Sequence, residues 1–242
     1  MSKIFEELDY RQTPLGALTL RRRREPKAEN ANVFEVKLDD DFLMSSLFTE
    51  GETALANIAL EIIKKREIDV MIGGLGLGYT ANAALAHNSV RTVVVIEIFD
   101  AVIEWHRQGL VPLGQRLSSN PRCQLLQGDF FELSSLSSDE LEPTLKERKF
   151  DVILLDIDHS PSHLLSSKNQ HFYSISGIQS ITNMLHVEGV FAMWSNNPPE
   201  KEFCDTLRKV FHTSRAEVIE FPNPYSKDSS NCTIYIGEKR EV

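Results

Sequence analysis

A chain of 242 residues, 41% hydrophobic and 25% charged, has ordinary globular composition and length for one substantial core, alone or with a small appended domain. Its formal charge of −9 excludes a nucleic-acid surface as the main partner, because phosphate backbones select basic faces. No apolar run approaches the ~20 residues that cross a bilayer, the start Met1 to Glu7 is too acidic for a signal peptide, and Cys123, Cys204 and Cys232 lie far apart without a C-x-x-C pair, so the expectation is a cytoplasmic protein with reduced thiols and no membrane partner.

Residues 1–48 read as a small N-terminal β-hairpin domain. Leu15 to Arg22 and Val33 to Leu38 alternate apolar with small or polar residues, and the polar, proline-bearing stretch Arg23 to Asn32 between them reads as a loop. The run Arg21 to Arg24 reads as a solvated strand end in preference to a phosphate or RNA site. From Glu50 the period changes. Ala54, Leu55, Ile58, Ala59, Ile62 and Ile63 recur at helical spacing, which predicts an amphipathic helix over 50–66. Strand and helix then alternate through a second domain, 49–242, with strands near 69–73, 92–97, 122–127, 150–156, 188–194, 216–221 and 232–237. Helices are predicted near 79–87, 100–117, 173–186 and 199–211. This alternation predicts an α/β fold with a largely parallel sheet covered on both faces, Phe150 to Leu155 being nearly all apolar as a central strand should be. The last two strands have no helix between them and predict an antiparallel hairpin around the loop Pro222 to Asn231.

In an open parallel sheet, ligands gather at the carboxyl ends of the strands. The strand Val70 to Gly73 runs straight into Gly74, Gly76 and Gly78, where a backbone without Cβ atoms lets a nucleotide-sized ligand lie against bare peptide. The next strand ends on Glu97, roughly 20 residues past the glycines, the place of an acid that holds a ribose diol. Gln127-Gly128-Asp129 closes the third strand, where a carboxylate suits an adenine amino group. Asp156-Ile157-Asp158-His159 closes the fourth. Glycine loop and three acids on successive strand ends together point to nucleoside binding.

The order Gly74-Leu-Gly-Leu-Gly78, Glu97-Ile98, Gly128-Asp129 and Phe150 to Asp156 resembles the class I S-adenosylmethionine-dependent transferases, and within them the spermidine synthase family. Thr13-Pro-Leu-Gly16, Leu43-Met-Ser-Ser46 and Thr49-Glu-Gly-Glu52 extend the likeness to the N-terminal part. The resemblance implies a Rossmann-like class I methyltransferase fold, with a mostly parallel seven-stranded sheet behind a small N-terminal β domain, and assembly as a homodimer. It implies that Gly74, Leu75, Gly76 and Gly78 line the cofactor, that Glu97 binds its ribose and Asp129 its adenine. Asp156 matches the acid that deprotonates the attacking amine, with Asp158 and His159 as further catalytic candidates.

The departures from the family bear on the chemistry. Its glycine loop carries an Asp facing the aminopropyl group of decarboxylated S-adenosylmethionine, and Leu77 stands there. His159 stands near the second Asp of its D-x-x-D-P run, and Ala54, Leu55 and Ala56 replace a Tyr-His pair. An Asp in the loop would repel the carboxylate of intact S-adenosylmethionine by ~1–4 kcal/mol at contact distance. Leu77 therefore favours methyl transfer from S-adenosylmethionine to a small-molecule acceptor. Aminopropyl transfer from the decarboxylated form to an altered acceptor is the alternative, and a nucleoside-binding relative without turnover is the third reading. Asn197-Pro-Pro-Glu200 reads as a helix start rather than the aromatic-ended motif that stacks a flipped base. His159, His163 and His171 lack metal-ligand spacing, so no metal is expected. The polar loop Ser160 to His171 is expected to gate the pocket.

Overall fold

A computed structural model of the chain describes residues 5–135, 145–146, 148–226 and 228–239; Met1 to Ile4 of the acidic N-terminal segment lie outside them. Four strands open the chain: β1 (Phe5–Thr13), β2 (Gly16–Glu25), β3 (Ala31–Leu38) and β4 (Asp41–Ser45), paired in sequential antiparallel order. Sequence pattern predicted only parts of β2 and β3. β1 is mostly exposed, so no burial alternation marks it, and β4 is five residues long and bulged against β3. The predicted loop from Arg23 is strand as far as Glu25. Its arginines are held as strand neighbours: Arg21 and Arg23 bind Glu35, and Arg22 binds Glu6.

Helix α1 (Glu50–Ile62) leads into the α/β part. There β5 (Ile68–Gly73), α2 (Tyr79–Ala86), β6 (Val90–Glu97), α3 (Asp100–Gln108), α4 (Gly114–Ser118), β7 (Cys123–Gln127), α5 (Phe130–Leu133) and β8 (Phe150–Leu155) follow in turn. A 3-10 turn (Ser167–Tyr173), α6 (Ile175–Asn183), β9 (Leu185–Ser195), α7 (Lys201–Val210), β10 (Thr213–Phe221) and β11 (Ser230–Glu238) complete the chain. The long helix predicted over 100–117 is two helices. Gly109 takes a left-handed conformation at φ 71° and ends α3, and Pro112 lies in the gap.

The seven-stranded sheet has the order β10-β11-β9-β8-β5-β6-β7. All neighbouring pairs are parallel except those of β11, which runs antiparallel to both β9 and β10 and makes the expected terminal hairpin. Chain order reverses between β5 and β8, the switch point at which an open α/β sheet leaves a crevice. Strands β5 and β8 are buried at every residue, and the one acid in each, Asp69 and Asp151, is ion-paired with Arg91 and Lys65. Leu18, Leu20, Val36 and Leu38 of the first sheet share one apolar core with α1 and β5, and Trp105 of α3 donates to Asp9 of β1. The small sheet is thereby fixed over the carboxyl end of the large one. No described helix is long and apolar enough to cross a membrane.

Candidate active site

A cavity of 1160 Å³ lies between the two sheets, above the switch point. Ligand pockets commonly hold ~300–1,000 Å³, so this one is large. Gly74, Leu75, Gly76, Glu97, Asp129, Asp156 and His159 all line it. The structure thus brings together every expected site residue except Gly78 and Asp158.

The glycine loop is built by backbone constraint. Gly74 and Gly76 have φ of 94° and 47°, and a Cβ at Gly74 would run into the carbonyl of Asp156. Only glycine lets β5 and β8 end side by side, with Asp156 N donating to Gly73 O at 2.9 Å. Glu97, 7% exposed, braces the loop from β6: its carboxylate accepts from Leu75 N and Phe99 N, both at 2.9 Å. Burial raises its pKa, against the lowering effect of these amides. Asp129 caps α5 through Phe131 N at 2.9 Å. Both carboxylates line the cavity.

Asp156 is half-buried at the end of β8 and accepts from Thr80 Oγ1 at 2.7 Å. Burial pushes its pKa up to about 6. Across the cavity stands Glu52, 9% exposed, on the first turn of α1. Burial, reinforced by the charge of Asp156, pushes its pKa up to about 8. The charge on Asp156 thus favours the protonated form of Glu52. Glu52 was missed as a site residue, yet a signal exists. It shares the helical face of Leu55, Ala56 and Ala59, all fully buried, and an acid on a buried apolar face calls for a function or a partner.

Three expectations need correction. Gly78 does not line the cavity: it is the left-handed N-cap of α2 (φ 89°), packed against Leu117 and His106. Leu77, expected to form part of the pocket wall, is 0% exposed within the apolar core and does not line the cavity. Asp158, expected as a second base, is 3% exposed and accepts from Leu165 N at 2.7 Å, Asn169 Nδ2 at 2.9 Å and Tyr173 OH at 2.7 Å. It therefore anchors the segment 160–173, whose Leu165, Ser166, Lys168 and Asn169 reach the cavity. His159 packs against His163, ring centroids 4.8 Å apart and planes tilted by 46°, and burial lowers its pKa. Asn197 and Glu200 of the proline-containing segment bind Ser160 and Ser162 as further supports of this wall. Among the described residues no group of His, Cys, Asp and Glu is placed to hold a metal ion.

Residues 50–226 match the Spermine/spermidine synthase domain family. The chain is 29% identical over 160 residues to Polyamine aminopropyltransferase 2 of Pseudomonas aeruginosa, a match covering 63% of this chain and 43% of that protein. It is 28% identical over 178 residues to Polyamine aminopropyltransferase 1 of Bacillus cereus, covering 71% and 58% respectively. The chain therefore spans less than two thirds of the length of these relatives. Among solved structures, spermidine synthase from Thermotoga maritima shares the fold with a TM-score of 0.72 at 20% identity, over 96% of this chain and 72% of that one. A spermidine synthase in complex with the transition-state analogue AdoDATO gives 0.71 at 19% identity, with the same coverage.

Proposed function

For a chain that belongs to the spermine/spermidine synthase domain family, we propose aminopropyl transfer from decarboxylated S-adenosylmethionine to an amine. The observation that carries this reading is the pair of carboxyls, Glu52 and Asp156, at the wall of the 1160 Å³ cavity. A cationic amine lowers the cost of ionising two buried acids together, and an acid held near neutral pH is suited to accept its proton. Methyl transfer loses its support, because Leu77 is core and the matched relatives are named as aminopropyltransferases.

The donor supplies a propyl carbon activated by a sulfonium. In this reading the adenosine lies along Gly74 to Gly76, with Glu97 at the ribose and Asp129 at the base. The amine nitrogen attacks the propyl carbon, a C–N bond forms as the C–S bond breaks, and the electron pair stays on sulfur to give methylthioadenosine. Asp156 takes the amine proton, and Glu52 holds the cationic acceptor in line. The segment 160–173 closes the cavity against water, and the working unit is a homodimer. Incubation with each donor and a panel of diamines and polyamines, followed by mass analysis, tests this. Methylthioadenosine and an aminopropylated amine are expected. S-adenosylhomocysteine with a methylated product would overturn the proposal.

A further inference from the structure

We infer that Met44, on β4 of the small sheet, selects the decarboxylated donor by covering the one glycine-loop amide left without an oxygen acceptor. This rests on the aminopropyltransferase reading and concerns a task that the loop residue at position 77, a buried leucine, does not perform.

The amides of the loop are nearly all committed. Gly74 N donates to Ile96 O at 2.9 Å, Leu75 N to Glu97 at 2.9 Å and Gly78 N to Leu75 O at 2.8 Å. Gly76 N also faces the Glu97 carboxylate and lowers its pKa. Leu77 N alone meets no oxygen; the Met44 Sδ is pressed against it at 2.7 Å, closer than a relaxed N–H···S bond. Met44 itself lines the cavity, and its side chain fills the space that a Cβ on Gly76 would take.

Intact S-adenosylmethionine differs from the decarboxylated donor by one carboxylate. Placed at this loop, that anion would need a hydrogen-bond donor to replace its lost water. It would find Leu77 N under a thioether, and the carboxylate of Asp156, ionised above about pH 6, on the cavity wall repelling it. The decarboxylated donor asks for no amide and brings a cation to the same acid. Selection therefore comes from an apolar cover over an amide, contributed by the neighbouring sheet.

Calorimetric titration of the wild type, Met44→Ala and Met44→Leu with both donors tests the inference. Met44→Ala uncovers Leu77 N and should tighten S-adenosylmethionine binding by about tenfold, a difference of ~1.4 kcal/mol. Its affinity for the decarboxylated donor should stay within about threefold, a margin of ~0.7 kcal/mol. Met44→Leu keeps the cover and should keep the wild-type preference. Met44→Val, a smaller truncation, serves if thermal unfolding shows that Met44→Ala does not fold, and it should shift the preference in the same direction. An unchanged donor ratio in the truncated variants, or a ratio relaxed equally by Met44→Leu, overturns the inference while leaving the transferase reading intact. A wild-type protein that binds neither donor overturns both.

Discussion

Replacing Glu52 by Gln should make the folded protein more stable near neutral pH while impairing it as a transferase. Glu52 has no salt-bridge partner among the described ion pairs, and its pKa is pushed from 4.5 to about 8 by burial and by Asp156. The folded state thus keeps a proton that the unfolded chain releases above about pH 4.5, so the stability present below that pH declines as pH rises towards about 8. At ~1.4 kcal/mol per pH unit, the loss from this group accumulates to ~3 kcal/mol by pH 7. Gln is close to isosteric with the protonated acid and carries no such penalty. It also relieves part of the burden on Asp156, which works in the same direction. Urea unfolding of both proteins at pH 5 and pH 7 reads the effect directly. The stability difference in favour of Glu52→Gln should be small at pH 5 and widen to ~2–3 kcal/mol at pH 7. A variant that is less stable at both pH values, or a difference that does not depend on pH, would refute this assignment of Glu52 as an acid buried at a cost.

Asp156→Asn should lower the rate of methylthioadenosine release by ~10²–10⁴ with little change in donor affinity, and a loss under about fivefold would remove Asp156 as the proton acceptor. In the wild type the same rate should climb as pH rises through about 6, where Asp156 ionises; a rate that falls over that range would count against it. Glu97→Gln turns one acceptor oxygen towards an amide as a donor, so methylthioadenosine binding measured by calorimetry should weaken by at least about tenfold, with ~1–3 kcal/mol of stability lost. Gly74→Ala sets a Cβ against the Asp156 carbonyl at a left-handed φ and should cost ~1–3 kcal/mol in denaturant unfolding, whereas an unaffected protein would show that β5 and β8 need no such close approach.

Much of this site was legible in the chain because parallel α/β sheets write their ligand positions at strand ends. Gly74, Glu97, Asp129 and Asp156 follow four apolar runs, and local pattern is enough to place all four around one crevice. The terminal hairpin was legible for the same reason, two alternating strands without a helix between them. What stayed hidden depends on contacts between distant segments. β1 is an exposed strand, Phe5 to Thr13, whose charges follow no burial period, so only its pairing with β2 makes it a strand. Leu77 looks like pocket lining by its place in the loop, but the left-handed turns at Gly76 and Gly78 accompany a side chain fully buried in the core. Met44 reaches the loop from a different sheet, 33 residues earlier, and nothing in its local sequence announces that contact. Asp158 sits two residues from Asp156 and reads equally well as a base, until Asn169 and Tyr173 are seen to claim its oxygens.

The most direct measurement is a crystal structure of the protein with methylthioadenosine and an amine acceptor. The ribose should rest on Glu97, the adenine beside Asp129, and the amine nitrogen between Asp156 and Glu52, in line with the sulfur. A nucleoside bound elsewhere, or an acceptor nitrogen remote from both acids, would contradict the account.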